Sequence, residues 1–164
     1  MSKAQSPKPR AQSRPKPKAE SPKTDLRHRA REAALQILYQ WDIARGDVDR
    51  AADTLFTRQW PDPAPPDELR LFASALAHDT VERLAAIDPL IADSTEHWRP
   101  ERMAVLDRLI LRMAVCEMLR DRDTPPAVVI NEALELARTF STEDSVKFIN
   151  GMLDAIRRKL DTNV

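Results

Sequence analysis

A cluster of cations stands where the first helical pattern of the chain begins. Arg27, Arg29 and Arg31 alternate with His28 and Ala30 and run directly into an apolar helical stripe. Guanidinium groups form charge-assisted, often bidentate bonds with phosphates, so the cluster predicts contact with a nucleic-acid backbone. Cations at a helix N-terminus also oppose the helix dipole, a cost that an anionic partner would offset. A solvated run of charge without a partner explains the same residues equally well.

Tyr39 is the second candidate for nucleic-acid contact. On a helical wheel it lies about 180° from Ala30, away from the apolar stripe and on the flank that carries His28, Leu35 and Arg31. Outward aromatic rings near arginines are used for base stacking. The competing interpretation is that Tyr39 packs against a neighbouring helix with its hydroxyl group at the surface, and the wheel alone favours it.

The third candidate is the corner from Phe140 to Phe148. If a helix begins there, Asp144, Lys147 and Phe148 are neighbours at positions i, i+3 and i+4. Asp144 is also explained as a first-turn carboxylate that complements the helix dipole. Without further information, the residues favour Phe148 as a side chain at the edge of the core.

No catalytic constellation is visible in the sequence. His28, His78 and His97 are scattered without the spacing of metal ligands. Cys116 lies in an apolar stretch, where a small buried side chain is expected rather than a nucleophile. With only two glycines, the chain has neither a dinucleotide fingerprint nor a phosphate loop. We therefore predict no enzyme, no cofactor and no metal.

Composition and charge divide the chain into an arm and a body. The first 31 residues contain ten Lys and Arg against two acids, so a formal net charge of zero conceals a basic arm and an acidic body. Residues 1–24, rich in Pro, Lys and Ser, are predicted to be disordered, and residues 25–164 to form one all-helical domain. A single cysteine, no secretory signal and no apolar run of spanning length predict a cytoplasmic protein without membrane contact.

Helical periodicity and capping signals predict a compact all-α fold of six or seven helices, without strands. The helices are predicted from Thr24 or Asp25 to about Arg45, from about Asp47, from Asp67 to Ala86, from Asp88 to Ser94, from Arg99 to Arg122, from Pro126 to Thr139, and from Ser141 or Thr142 onward. Gly46 is predicted to end the first helix, and Pro89 to take the first position of the fourth.

Several strings of the sequence resemble the NusB family of transcription antitermination factors. The strings RHRARE at 27–32 and LQILYQW at 35–41 resemble the opening helix of that family. LILRMA at 109–114, followed by Glu117, resembles a middle helix of the family. INEALELA at 130–137 and EDSVKFINGML at 143–153 resemble its two closing helices. The resemblance covers about residues 26–160 in the same order as in the family.

The resemblance implies a helical domain that binds the boxA element of nascent ribosomal RNA transcripts. It also implies a partner, the small-subunit ribosomal protein that acts as NusE, and an indirect association with other Nus factors and RNA polymerase. By position, it implies an RNA surface made of Arg27, His28, Arg29, Arg31, Tyr39, Glu101, Phe140, Asp144, Lys147 and Phe148. A similar domain is attached to some rRNA cytosine methyltransferases, but this chain is expected to be the stand-alone factor.

Three positions depart from the family pattern. Cys116 stands where tyrosine is usual, Ser141 where glycine is frequent, and His78 where a Gly-Val step is common. The second departure could alter the loop that presents Phe140. Two alternative functions remain: a helical protein-interaction scaffold whose arm only adds solubility, and an rRNA-maturation factor without an antitermination role.

Overall fold

The computed structural model of the chain describes residues 22–95 and 99–162. These residues form helices and connecting loops without a strand, so the all-α prediction is confirmed. The helices are α1 (Pro22–Ala44), α2 (Val48–Thr54), α3 (Asp67–Glu82), α4 (Leu84–Asp93), α5 (Val105–Arg120), α6 (Pro126–Phe140) and α7 (Glu143–Thr162). A π-helical turn (Leu55–Gln59) continues α2, and a 3₁₀ turn (Pro100–Arg102) precedes α5.

The bounds of α1 differ from the prediction at both ends. The helix begins at Pro22, so the last three residues of the predicted arm are helical, while residues 1–21 lie outside the described part of the chain. At its other end Arg45 takes the left-handed conformation, with φ at 55°, and Gly46 has no positive φ. The predicted inner stripe is buried at Ala30, Ala34, Ile37 and Leu38.

Two other boundaries correct the sequence prediction. Pro89 lies inside α4 and not at its first position, because that helix begins at Leu84. The early start places Ile87 and Ile91 in the core, and this burial outweighs the one backbone hydrogen bond that the proline cannot donate. The helix predicted from Arg99 is divided into the 3₁₀ turn and α5.

Helix α5 occupies the centre of the bundle. Every side chain from Asp107 to Glu117 is buried, and α5 packs against α1, α3, α4, α6 and α7. A polar group at such a position must find a partner within the protein. The four buried charged side chains of α5 do so: Asp107 accepts hydrogen bonds from Ser141 and Ser145, Arg108 donates to Asp42, Arg112 donates to Asp88, and Glu117 accepts from Arg31.

Arg31 corrects the prediction of three surface arginines. Its side chain is 4% exposed; its Nε donates to Oε2 of Glu117 at 3.0 Å, and its Nη2 donates to the other carboxylate oxygen. The guanidinium carbon also lies 5.5 Å from the centre of the Phe72 ring. Burial alone would lower the pKa of Arg31, but the hydrogen bond and the attraction to Glu117 raise it, so the side chain stays charged. A helical wheel of α1 contains no information about Glu117, 86 residues away.

The structure predicts a large cost for breaking this buried pair. Glu117→Leu leaves the Arg31 charge buried and unpaired, and should lower the free energy of unfolding by about 3–5 kcal/mol. Arg31→Met combined with Glu117→Leu should recover a large part of that loss. Urea unfolding measures both, with Glu135→Leu as the control because Glu135 pairs with Arg138 at the surface. A Glu117→Leu loss no larger than that of the control would contradict this assignment.

A surface ion pair joins α3 to the start of α2. Nδ1 of His78 lies 3.0 Å from Oδ1 of Asp49. The hydrogen bond to Asp49 raises the pKa of His78, burial lowers it by less, and the negative charges of Asp49, Glu82 and Asp79 raise it further. Because the folded-state pKa is the higher one, this pair stabilises the fold fully below the unfolded-state pKa of about 6.5 and loses its effect as pH rises through the folded-state value.

Replacing His78 with Gln should therefore reduce the loss of stability that accompanies a rise in pH above about 6.5. The difference should be at most about 1 kcal/mol, because both side chains are exposed and solvent screens their attraction. The measurement is the free energy of unfolding of the protein and the variant at several pH values. Equal pH dependence in the two proteins would show that the pair is not formed in solution.

Candidate nucleic-acid interface

Two of the predicted site residues meet in one cavity. A hollow of about 370 Å³ opens between Tyr39 of α1 and Phe140 at the end of α6. The other residues that line it are Leu35, Gln36, Gln40, Gln59 and Leu106. Tyr39 is 42% exposed and Phe140 is 38% exposed, so both rings are accessible from solvent. The outward orientation of Tyr39 that the wheel predicted is confirmed.

A second, shallower hollow of about 260 Å³ lies beside Phe148 and Asp144 at the start of α7. Met103, Ala104, Asp107 and Ser145 complete its lining. Leu106 belongs to the first cavity and Asp107 to the second, so the two hollows flank the first turn of α5. We call the surface formed by Tyr39, Phe140 and Phe148 the aromatic end of the bundle. Phe148 is 42% exposed, which agrees with the core-edge position that the sequence favours and leaves part of its ring accessible.

Asp107 holds the corner that presents Phe140 and Phe148. Its two carboxylate oxygens accept hydrogen bonds from the hydroxyl groups of Ser141 and Ser145, each at 2.6 Å. The backbone of Ser141 is extended, so this position does not need the conformational freedom of the glycine that is frequent in the family. The hydroxyl group that replaces it ties the loop to α5.

The start of α7 is capped as the sequence predicts. Oγ1 of Thr142 accepts a hydrogen bond from the backbone N–H of Ser145 at 3.1 Å, which satisfies one donor of the first turn. Asp144 and Lys147 are exposed on this helix beside Phe148. Glu101 is exposed in the 3₁₀ turn, two residues before the Met103 that lines the second hollow.

The predicted basic residues lie at the opposite end of α1. Arg27 is half-buried, with its guanidinium carbon 5.5 Å from the centre of the Phe72 ring. His28 lies between two carboxylates: its Nδ1 is 2.7 Å from Oε2 of Glu132, and its Nε2 is 3.1 Å from Oε1 of Glu32. Arg29 is exposed. We call Arg27, His28 and Arg29 the basic end of α1; Arg31, buried against Glu117, does not belong to it.

His28 of the basic end and Tyr39 of the aromatic end lie on one side of α1, whereas Arg29 lies about 80° and Arg27 about 120° from Tyr39 on the wheel. His28 and Tyr39 are about 20° apart on the wheel and about 16 Å apart along the helix. Helix α6 follows the same side, since its Glu132 contacts His28 and its Phe140 shares a cavity with Tyr39. An extended ligand laid along α1 and α6 would touch both ends.

The residues considered for catalysis do not form a site within the described part of the chain. Cys116 is fully buried, and burial raises the pKa of its thiol, as expected for a small core side chain. Among residues 22–95 and 99–162, no three His, Cys, Asp or Glu side chains are grouped to hold a metal ion. His97 lies outside the described residues. The absence of a metal and a cofactor therefore stays a prediction. No described helix is both long and apolar enough to span a membrane.

Sequence reasoning missed four polar residues of this surface: Gln36, Gln40, Gln59 and Asp107. Gln40 and Gln59 line the first cavity, and Nε2 of Gln40 donates to Oε1 of Gln59 at 2.6 Å. The spacing of Gln36, Tyr39 and Gln40 at i, i+3 and i+4 could have placed two glutamines beside the tyrosine. The sequence contains no comparable signal for Gln59, which reaches the cavity through a π-helical turn. Asp107 resembles an ordinary first-turn carboxylate until its serine partners are known.

The fold and this surface define a compact all-helical domain with a candidate nucleic-acid interface at one end of the bundle. A family model described as NusB family matches residues 28–158. The chain belongs to the NusB family of transcription antitermination proteins, which confirms the resemblance found in the sequence.

Relatives and solved structures agree with this assignment. The chain is 49% identical over 138 residues to the transcription antitermination protein NusB of Solibacter usitatus, covering 82% of this chain and 90% of that protein. It is 45% identical to the NusB of Koribacter versatilis, covering 85% and 93%. The solved NusB of T. maritima superposes with a TM-score of 0.72 at 33% identity over 80% and 90% of the two chains. A structure of NusB and NusE in complex with dsRNA shares the fold at 23% identity and a TM-score of 0.71, over 82% of this chain and 98% of that one.

The hydrogen bonds of Asp107 predict how the corner responds to its removal. Asp107→Ala deprives two serine hydroxyl groups of a charged acceptor and should lower the free energy of unfolding by about 1.5–3 kcal/mol. Amide hydrogen exchange in the first turn of α7 should accelerate more than exchange in the middle of α5. Asp144→Ala is the matched control, because this exposed carboxylate contributes only about 0.3–1 kcal/mol through the helix dipole. Unchanged exchange at α7 in the Asp107 variant would show that the carboxylate does not fix the corner.

Proposed function

We propose that this transcription antitermination protein binds boxA-type RNA of nascent ribosomal RNA transcripts through its aromatic end, together with the ribosomal protein that acts as NusE. It works as a binding protein in the cytoplasm and catalyses no reaction. Its association with other Nus factors and RNA polymerase is indirect, and no membrane is involved.

The observation that supports this proposal best is the group of exposed aromatic rings around the first turn of α5. Tyr39, Phe140 and Phe148 are each about two-fifths exposed, although the chain contains only eight aromatic residues. Single exposed aromatic side chains are ordinary, but three around one helix end form an apolar surface that a partner can cover. Unstacked RNA bases cover such rings at a gain of about 1–3 kcal/mol per base.

Exposed cations, one beside the rings and one at the opposite end of α1, supply the phosphate contacts of the proposed interface. Lys147 is exposed beside Phe148, and Arg29 is exposed at the basic end of α1. An RNA strand laid along α1 and α6 would pass from one to the other. Arg31 acts differently from the sequence prediction, since it positions α1 against α5 through Glu117 and does not reach the surface.

The proposed partner follows from the family and from a solved neighbour. A NusB chain with the same fold has been solved with NusE and dsRNA. At 23% identity, that similarity shows only a shared fold. The proposed pairing with NusE therefore rests on the membership of this chain in the NusB family.

The test is a titration of the full chain with a single-stranded boxA-type RNA and with a scrambled RNA, at several salt concentrations and with and without the NusE-type ribosomal protein. We expect preference for the boxA-type RNA, tighter binding with the ribosomal protein, and a salt slope of about 0.7 for each phosphate contacted on a single strand. A protein-interaction scaffold would bind the ribosomal protein and show no preference between the RNAs.

Tyr39→Ala should weaken RNA binding by about 1–3 kcal/mol, because the ring loses one stacked base. Fold stability should change little, since the ring is half in solvent. Tyr39→Phe should keep most of the affinity if stacking dominates, and lose it if the hydroxyl group is the contact. Isothermal titration and thermal melting of the same samples separate the two effects. Normal RNA affinity in a Tyr39→Ala protein that melts early would support packing as the role of Tyr39.

A further inference from the structure

The cavity between Tyr39 and Phe140 has the composition of a small-ligand site. Its volume of about 370 Å³ lies in the range of about 300–1,000 Å³ typical of such sites. The buried Leu35 and the partly buried Leu106 form an apolar floor, and the two rings form exposed walls. The polar side-chain groups of its lining are the amides of three glutamines and the hydroxyl group of Tyr39.

Two of those glutamines are held in a fixed relation. Gln40 shares a face of α1 with Tyr39, and its amide donates to the amide oxygen of Gln59 at 2.6 Å. Gln59 is the last residue of the π-helical turn. The rings of Phe56 and Trp60 beside it pack against each other, with centroids 5.3 Å apart, and both pack against the core. This packing holds the turn in place. Such turns often occur at functional sites. Among the described residues, no other hydrogen bond uses these two amides.

The pair leaves an acceptor and donors at the cavity mouth. An amide has one oxygen and two N–H groups, so one hydrogen bond between two amides leaves the Gln40 oxygen, the second N–H of Gln40 and both N–H groups of Gln59 available. Adenine has a matching edge, with the N6 amino group as donor and N7 as acceptor. Guanine offers two acceptors at the same places, O6 and N7, and would leave the Gln40 oxygen without a donor, whereas adenine engages both an N–H group and the oxygen of the pair.

We propose that this cavity receives one unstacked adenine of the bound RNA, with its ring against Tyr39 and Phe140 and its N6–N7 edge at the Gln40–Gln59 pair. The inference rests on the RNA binding proposed above and adds a specificity determinant to it. Stacking alone tolerates every base, because every base has a π-face. The amide pair gives this position of the RNA a preference that the rings cannot provide.

The experiment replaces the adenines of a single-stranded boxA-type RNA one at a time with 7-deazaadenine, which lacks the N7 acceptor, and measures the affinity of the full chain for each RNA. One position should weaken binding by about 5- to 150-fold, the range of a good base contact. The variant that combines Gln40→Leu with Gln59→Leu should bind the adenine and 7-deazaadenine forms of that position equally. Asn131→Leu is the control, because Asn131 is exposed and lies about 180° from Phe140 on the α6 wheel.

The outcomes separate this inference from the proposed function. If the double variant keeps the position profile of the original protein, the glutamine pair does not read the base, although RNA binding stands. If the original protein has no preference for boxA-type RNA, both proposals are wrong. Thermal melting checks that the variants are folded. If the double variant melts early, the same affinities are measured with the single variant Gln59→Leu, because Gln59 is exposed and its replacement should not disturb the fold.

Discussion

The burial of α5 on all sides, with four charged side chains, is the constraint on which the rest of this structure depends. A buried charge without a partner costs several kcal/mol, so each charge fixes the element that pairs with it. Arg108 holds α1 through Asp42, and Arg112 holds α4 through Asp88. Hydrophobic burial drives the assembly of the bundle, but the charges on α5 determine which side of each neighbouring helix faces inward.

The two ends of α5 extend this constraint to the candidate interface. Asp107 in the first turn binds the serines of the corner, so Phe140 and Phe148 emerge on either side of that turn. Glu117 near the last turn binds Arg31 and thereby sets the rotation of α1. With α1 rotated in this way, Tyr39 lies over the cavity that Leu106 and Phe140 complete. Residues with no direct contact to a ligand thus determine where the aromatic rings stand.

The sequence predicted the parts of this arrangement that are local, and missed those that depend on a distant partner. Periodicity within one helix was enough to predict the all-α fold and the outward Tyr39. Arg31 was assigned to the surface because its partner is 86 residues away, and periodicity carries no information at that distance. Gln59 was missed for a different reason: a π-helical turn changes the winding on which a helical wheel depends.

Most of the cations near the start of α1 are engaged by contacts within the protein, which the sequence does not show. Glu32 and Glu132 flank His28, Phe72 lies under Arg27, and Glu117 engages Arg31. Because α1 begins at Pro22, these cations lie beyond its first turn, where the helix dipole has little effect. Their internal contacts reduce what they can offer to a phosphate. Arg29 is the exposed exception in this stretch.

A ligand that lies along α1 therefore gains little long-range attraction from the helix start. Under the proposed function, its affinity comes from the rings and amides at the aromatic end together with the exposed Lys147 and Arg29.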